Sequence, residues 1–146
     1  GIRVLRLRQC PAVDEELLRA LGGLPRLCWL DISGCPHVTD DGVAAVARLR
    51  GAALRHIDLG GCARLTDVGV EGLLAATSLT SVSLSMCRGL SPAALRPLAR
   101  LRALESLNVS HPLAAFDLTP LAGLSHLRDL RVAHTRCGGG LRCLLE

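Results

Sequence analysis

Three sets of residues in this chain could carry chemistry, and each recurs at an interval of about 25 residues, a period typical of repeat architectures. Asp31 and Asp58 are one such interval apart; brought together, two such carboxylates could serve as the acid and nucleophile of a glycoside-cleaving site. His111 and His134 are spaced in the same way and, with Cys137, could offer ligands to a metal ion. Cys10, Cys35, Cys62 and Cys87 follow one another at the same period. With seven cysteines in all, a disulfide framework or a zinc site has to be weighed.

The shared spacing points to the elements that must position these groups. Residues Leu27 to Cys35 read L-x-x-L-x-L-x-x-C and return as Leu54 to Cys62. Weaker copies begin at Ile2, Leu79, Leu104 and Leu127, so the period is kept from one end of the chain to the other. Within a copy, inward Leu5 and Leu7 alternate with Arg6 and Arg8, the period of a strand with one buried face. Behind it, Asp14 stands ahead of Glu15, Glu16, Leu17, Leu18 and Leu21, an acidic cap and first turn before apolar residues at helical spacing. Thr39, Thr66, Ser91 with Pro92 and Thr119 with Pro120 mark four further helix starts.

A strand, a tight loop, a short helix and a return loop in about 25 residues form one coil of a leucine-rich repeat array. The expected fold is an α/β leucine-rich repeat solenoid, a curved right-handed coil with a parallel sheet on the concave face and short helices on the convex face. Strands at about 4.8 Å and helices at nearer 10 Å force that curvature. One domain over residues 1–146 is expected, with six repeats starting near 2, 27, 54, 79, 104 and 127. The last is irregular: Thr135 takes the place of the cysteine, and Gly138-Gly139-Gly140 reads as a loop before a few residues of helix.

The phase of the repeat then decides what the reactive residues can do. The four regularly spaced cysteines take the ninth position, which turns inward, so each is read as a buried reduced thiol serving loop backbone. No C-x-x-C pair occurs and the count is odd, which argues against zinc and disulfides; a cytosolic or nuclear setting follows. With positions 1, 4 and 6 buried, positions 3, 5, 7 and 8 project from the sheet. The expected protein-binding face is therefore Arg6, Arg8, Trp29, Asp31, His56, Asp58, Met86, Asn108, His111, Asp129, Arg131 and His134.

On such an open face Asp31 and Asp58 lack an enclosing pocket, and Arg6 or Arg55 can neutralise them, so they are expected to receive a basic group from a partner. His111 and His134 are too few for a metal site, and Cys137 would have to swing in from its loop; solvated rim histidines are expected. Trp29, the only Trp, is aimed outward, either to cover its sheet neighbours or to anchor a binding patch.

Composition excludes several classes of function. All seventeen basic residues are Arg, scattered rather than clustered, with one Trp, one Phe and no Tyr, so no nucleic acid partner is expected. Arg48 and Arg50 interrupt the apolar segment at 43–47, and no run reaches membrane-spanning length, so a soluble chain is expected. With no phosphate loop and no G-x-S-x-G, neither a cofactor nor an enzyme activity is expected. Beginning at Gly1 and ending at Glu146 without a polar cap, the chain reads as a segment of a longer protein.

The pattern L-x-x-L-x-L-x-G-C followed by V-T-D-x-G-V or L-T-D-x-G-V runs through Leu27–Val43 and Leu54–Val70, with a looser copy at Leu79–Leu95. It resembles the cysteine-containing class of leucine-rich repeats, best known from the substrate-binding tails of F-box proteins, adaptors of cullin-RING ubiquitin ligases. The resemblance covers residues 2 to 103; Pro112 and Thr135 then replace the cysteine. It implies a protein-binding module, the substrate-recognition repeats of an F-box-like receptor, whose ligase adaptor would contact sequence outside this segment. No stretch here resembles an F-box. The alternative is a structural or scaffold subunit of a large assembly, and a residual third reading is a hydrolase using the aspartate pair.

Overall fold

The computed structural model describes residues 1–50, 53–111, 115–134 and 137–139. Six three-residue strands, β1 (Val4–Arg6), β2 (Trp29–Asp31), β3 (His56–Asp58), β4 (Ser81–Ser83), β5 (Ser106–Asn108) and β7 (Asp129–Arg131), form one sheet in the order β1-β2-β3-β4-β5-β7. Every pairing is parallel and stays in phase, so Val4, Trp29, His56, Ser81, Ser106 and Asp129 stand in one row across the strands. Each repeat position thereby becomes a row on the sheet.

Short helices follow the strands: α1 (Glu15–Ala20), α2 (Asp40–Arg50), α3 (Asp67–Gly72) and α4 (Leu95–Leu98). Their starts use the side chains expected of them. Asp14 accepts from the Leu17 N–H at 2.9 Å, Thr39 from Gly42 at 3.3 Å and Thr66 from Val68 at 3.2 Å. Ser91 accepts from Ala93 at 3.1 Å and opens a 3-10 turn that leads into α4.

Thr119 departs from this scheme. The 3-10 turn Thr119–Gly123 has no side-chain cap, and Thr119 donates its own N–H and hydroxyl to Asp117, at 3.0 and 2.7 Å. An aspartate two residues upstream forms an Asx turn and uses up the hydroxyl that would have capped the helix.

Inward positions of the middle coils, among them Leu30, Ile32, Ile57, Leu59, Val82, Leu84 and Leu107, are fully buried against helix residues such as Leu18, Val70, Leu73 and Leu95. In the first and last coils the inward residues are less covered. Ile2, expected inside, is 49 % exposed, and Leu5, Leu7, Leu127, Leu130 and Val132 are half-buried.

Two devices lock successive coils together. Asp40, at the start of α2, accepts from both the N–H and the hydroxyl of Thr66 in the next coil, at 2.8 and 2.6 Å. Asp67 does the same for Ser91, at 2.9 Å from the N–H and closer still from the hydroxyl. The thiols form the second ladder: Cys35 donates to the Leu7 carbonyl at 2.9 Å, Cys62 to Ile32 at 3.4 Å and Cys87 to Leu59 at 3.1 Å.

Two strands were not expected. Cys137–Gly139 (β8) pairs in parallel with Phe116–Asp117 (β6), so Cys137 and its glycines lie in a small second sheet rather than a loop. Pro112, Thr135, Cys143 and the helix expected after Gly140 lie outside the described residues.

Candidate functional site

The rim of the sheet face is set by backbone conformation. Gln9, Gly34, Gly61, Met86, His111 and His134, the eighth residues of their repeats, all have positive φ, between 53° and 71°. In this left-handed conformation each N–H of the first five reaches the next coil's seventh-position carbonyl, as in Gly34 to Gly60 at 2.6 Å and Met86 to Ser110 at 2.9 Å. The chain then turns so that the ladder thiols point inward. Only Gly34 and Gly61 are of the type that takes φ > 0 without strain. Met86, 55 % exposed, and the stacked rings of His111 and His134, with centroids 4.3 Å apart, therefore stand out along the rim.

Inside the rim, Trp29 and His56 occupy adjacent places in one row and stack with centroids 3.5 Å apart and planes at 17°. The Arg6 guanidinium lies over the Trp29 ring, 5.9 Å from its centroid. Trp29 thus covers sheet neighbours and still leaves 37 % of its surface to solvent. Burial pushes the His56 pKa down, aided by Arg6, against the upward pull of Asp58 and Asp31.

Asp31 does not behave as expected. It is 1 % exposed; Arg8 Nε donates to one carboxylate oxygen at 2.5 Å, and the Ser33 N–H and hydroxyl donate to the other at 3.2 and 2.8 Å. Its neutralising cation is therefore Arg8, not Arg6 or Arg55. Burial pushes the carboxyl pKa up, but the hydrogen bonds from Arg8 and Ser33 and the Arg8 charge outweigh it and leave the group below the ordinary carboxylate range. With its oxygens engaged, Asp31 has nothing to offer a partner, and Asp31 and Asp58 do not form a pair of free carboxylates for a hydrolase.

Asp58, in the same row one strand on, stays half-buried and, among the described residues, accepts only from the Gly60 N–H, at 2.9 Å. Among the described residues no basic side chain forms an ion pair with it. Asn108 holds the Ser110 N–H in the same way at 3.0 Å, whereas Asp129 pairs with Arg131 at 3.1 Å and accepts from Ser106 at 3.1 Å. Asp58 borders two hollows. One, of about 530 Å³, is flanked by Arg8, Gln9, Ser85 and Met86; the other, of about 170 Å³, by His56, Ser81, Ser83, Asn108 and Arg131.

Eleven of the twelve residues assigned to the sheet face are exposed or half-buried there, and Asp31 alone is covered. The spacing Asp-x-Ser, Asp-x-Gly and Asn-x-Ser at the fifth and seventh positions marks the Asx turns and was available in the sequence. The left-handed rim at Gln9, Met86, His111 and His134 had no such signal. Among the described residues no group of three or more His, Cys, Asp or Glu is placed to hold a metal, and no helix is long and apolar enough to cross a membrane.

The family profile described as "Leucine Rich repeat" matches residues 30–47 and 53–74, within the second and third coils. Comparison with curated proteins finds no match. Among solved structures, internalin C2 from Listeria monocytogenes superposes with a TM-score of 0.68 at 24 % identity, over 90 % of this chain and 62 % of its own. Internalin F from the same organism gives 0.57 at 22 %, over 79 % of this chain and 30 % of its own. TLR13, solved in complex with ssRNA13, gives 0.60 at 24 %, over 90 % of this chain and 19 % of its own. The chain thus spans less than two thirds of each of these structures. Matched repeats at 30–47 and 53–74, shared architecture and in-phase coils together give this chain the leucine-rich repeat fold.

Proposed function

We propose that this chain is a protein-binding module whose partner lies on the concave sheet face. One observation carries the reading: the face holds Trp29 and Met86, 37 % and 55 % exposed, on a rigid platform of small polar residues and paired charges. Large apolar side chains held out this way suit the centre of an interface. The other candidate contacts are Arg6, Arg8, His56, Asp58, Asn108, His111, Asp129, Arg131 and His134.

TLR13 shares the fold and was solved with single-stranded RNA. RNA suits this face poorly, because Arg8 and Arg131 are engaged by Asp31 and Asp129, leaving few cations for phosphates.

The cysteine-containing repeat pattern supports a narrower reading, the substrate-recognition tract of an F-box-like ubiquitin ligase receptor in the cytosol or nucleus. The inward thiols, each donating to a carbonyl of the preceding coil, support a reducing setting. Affinity purification from its native source with quantitative mass spectrometry tests both levels. Partners lost from Trp29→Ala and Met86→Gly variants that remain folded would uphold sheet-face binding, and a cullin adaptor retained by those variants would uphold the receptor. A fixed stoichiometric set indifferent to both substitutions would instead make the chain a scaffold gripped elsewhere.

A further inference from the structure

Charge on the sheet face nearly cancels internally. Asp31 holds Arg8 and Asp129 holds Arg131. Two charges are left over among the described residues: Arg6, which rests on Trp29 without an ion-pair partner, and Asp58, whose second oxygen accepts no hydrogen bond. Both stand in the row that runs Arg6, Asp31, Asp58, so two strand spacings, about 10 Å, separate their backbone positions.

We infer that these two charges select the partner: a helix laid across the strands, presenting a basic side chain to Asp58 and a carboxylate to Arg6. The inference rests on the sheet face being the binding face. Residues seven apart on a helix lie about 10.5 Å apart along the axis and share a side. In an extended segment the residues that span that distance are three apart and point to opposite faces, while those that share a face, two or four apart, span about 7 or 13 Å and match it less well.

The chemistry around Asp58 favours an arginine on the helix. The 170 Å³ hollow offers the hydroxyls of Ser81 and Ser83 and the Asn108 side chain to whichever guanidinium N–H groups Asp58 does not take. Arg8 also borders Asp58 but is committed to Asp31. Between the two charges the row holds Asp31, already paired with Arg8, and the row beside it holds the Trp29–His56 stack, against which flanking helix residues would be apolar.

The test is selection of a displayed library of single-helix peptides, randomised along one side, on the wild-type protein and on Asp58→Asn and Asp58→Lys. Asp58→Asn keeps the acceptor for the Gly60 N–H, as Asn108 does for Ser110, so the turn survives. Peptides selected on wild type should carry Arg or Lys seven positions from Glu or Asp. They should bind Asp58→Asn about tenfold or more weakly, and regain binding to Asp58→Lys when the basic residue becomes Glu. Peptides that lose binding with Trp29→Ala but not with Asp58→Lys would overturn this inference and leave the sheet-face reading standing. Peptides indifferent to both substitutions, or no enrichment at all, would overturn it together with that reading.

Discussion

At the scale of single residues, Asp31 and the thiols are tuned by what buries them. The Asp31 carboxyl titrates below its ordinary value in the fold, so its contribution to stability is full above the unfolded pKa of about 4 and is lost as pH falls through the folded value. Asp31→Asn keeps an acceptor for Ser33 but loses the negative charge that pairs with Arg8. We expect it to cost about 1–3 kcal/mol at pH 7 in urea unfolding, with the difference from wild type shrinking toward pH 3. The thiols shift the other way. Burial pushes Cys62 up to about 12 and Cys87 up to about 11. Their contribution is full below an unfolded pKa of about 8.5 and is lost as pH rises through the folded values. Among the described cysteines, a disulfide reagent at pH 8 should label half-buried Cys10 and Cys28 first, and Cys62 and Cys87 only as fast as the protein opens. The inward phase of the thiols could be read from their spacing. The Arg8–Asp31 pair could not, because an aspartate at the fifth position has several arginines within reach of neighbouring strands and only packing chooses among them.

At the scale of elements, the T-D-x-G motif does more than start a helix. Its aspartate fastens the following coil, as Asp40 does for Thr66 and Asp67 for Ser91. Its glycine admits a neighbour, since a Cβ at Gly42 would meet the Leu18 side chain at 2.7 Å and one at Gly69 would strike Leu65 and Asp40. Asp67→Ala removes two intercoil hydrogen bonds and should cost about 1–3 kcal/mol, read as a lower melting temperature. The left-handed rim gives the opposite expectation. Met86→Gly relieves a positive φ and should leave stability unchanged or raise it by up to about 1 kcal/mol, whereas Met86→Val should destabilise. If Met86→Gly also loses partner binding, the Met86 side chain serves the interface rather than the fold.

At the scale of the whole molecule, each coil is covered only by its neighbours, so stability is a sum of coils and interfaces. Hydrogen exchange should be slowest at Leu30, Ile57 and Val82, whose side chains are buried, and fastest in the first and last strands, where Leu5 and Leu130 are half-buried. The same stacking keeps the rows in register, and the register turns scattered residues into one continuous face with a cation at one place and a carboxylate two strands away.

The sequence by itself determined the coil, its phase and four of the five caps, because those depend on periodic burial and on contacts within a few residues. It also assigned which residues face out, since a two-residue alternation admits only one answer per strand. Tertiary structure decided which outward charges remain available. Arg8 and Asp31 belong to successive coils and meet only because parallel strands lie side by side. That pairing removes one carboxylate from the surface and leaves Asp58 half-exposed on it.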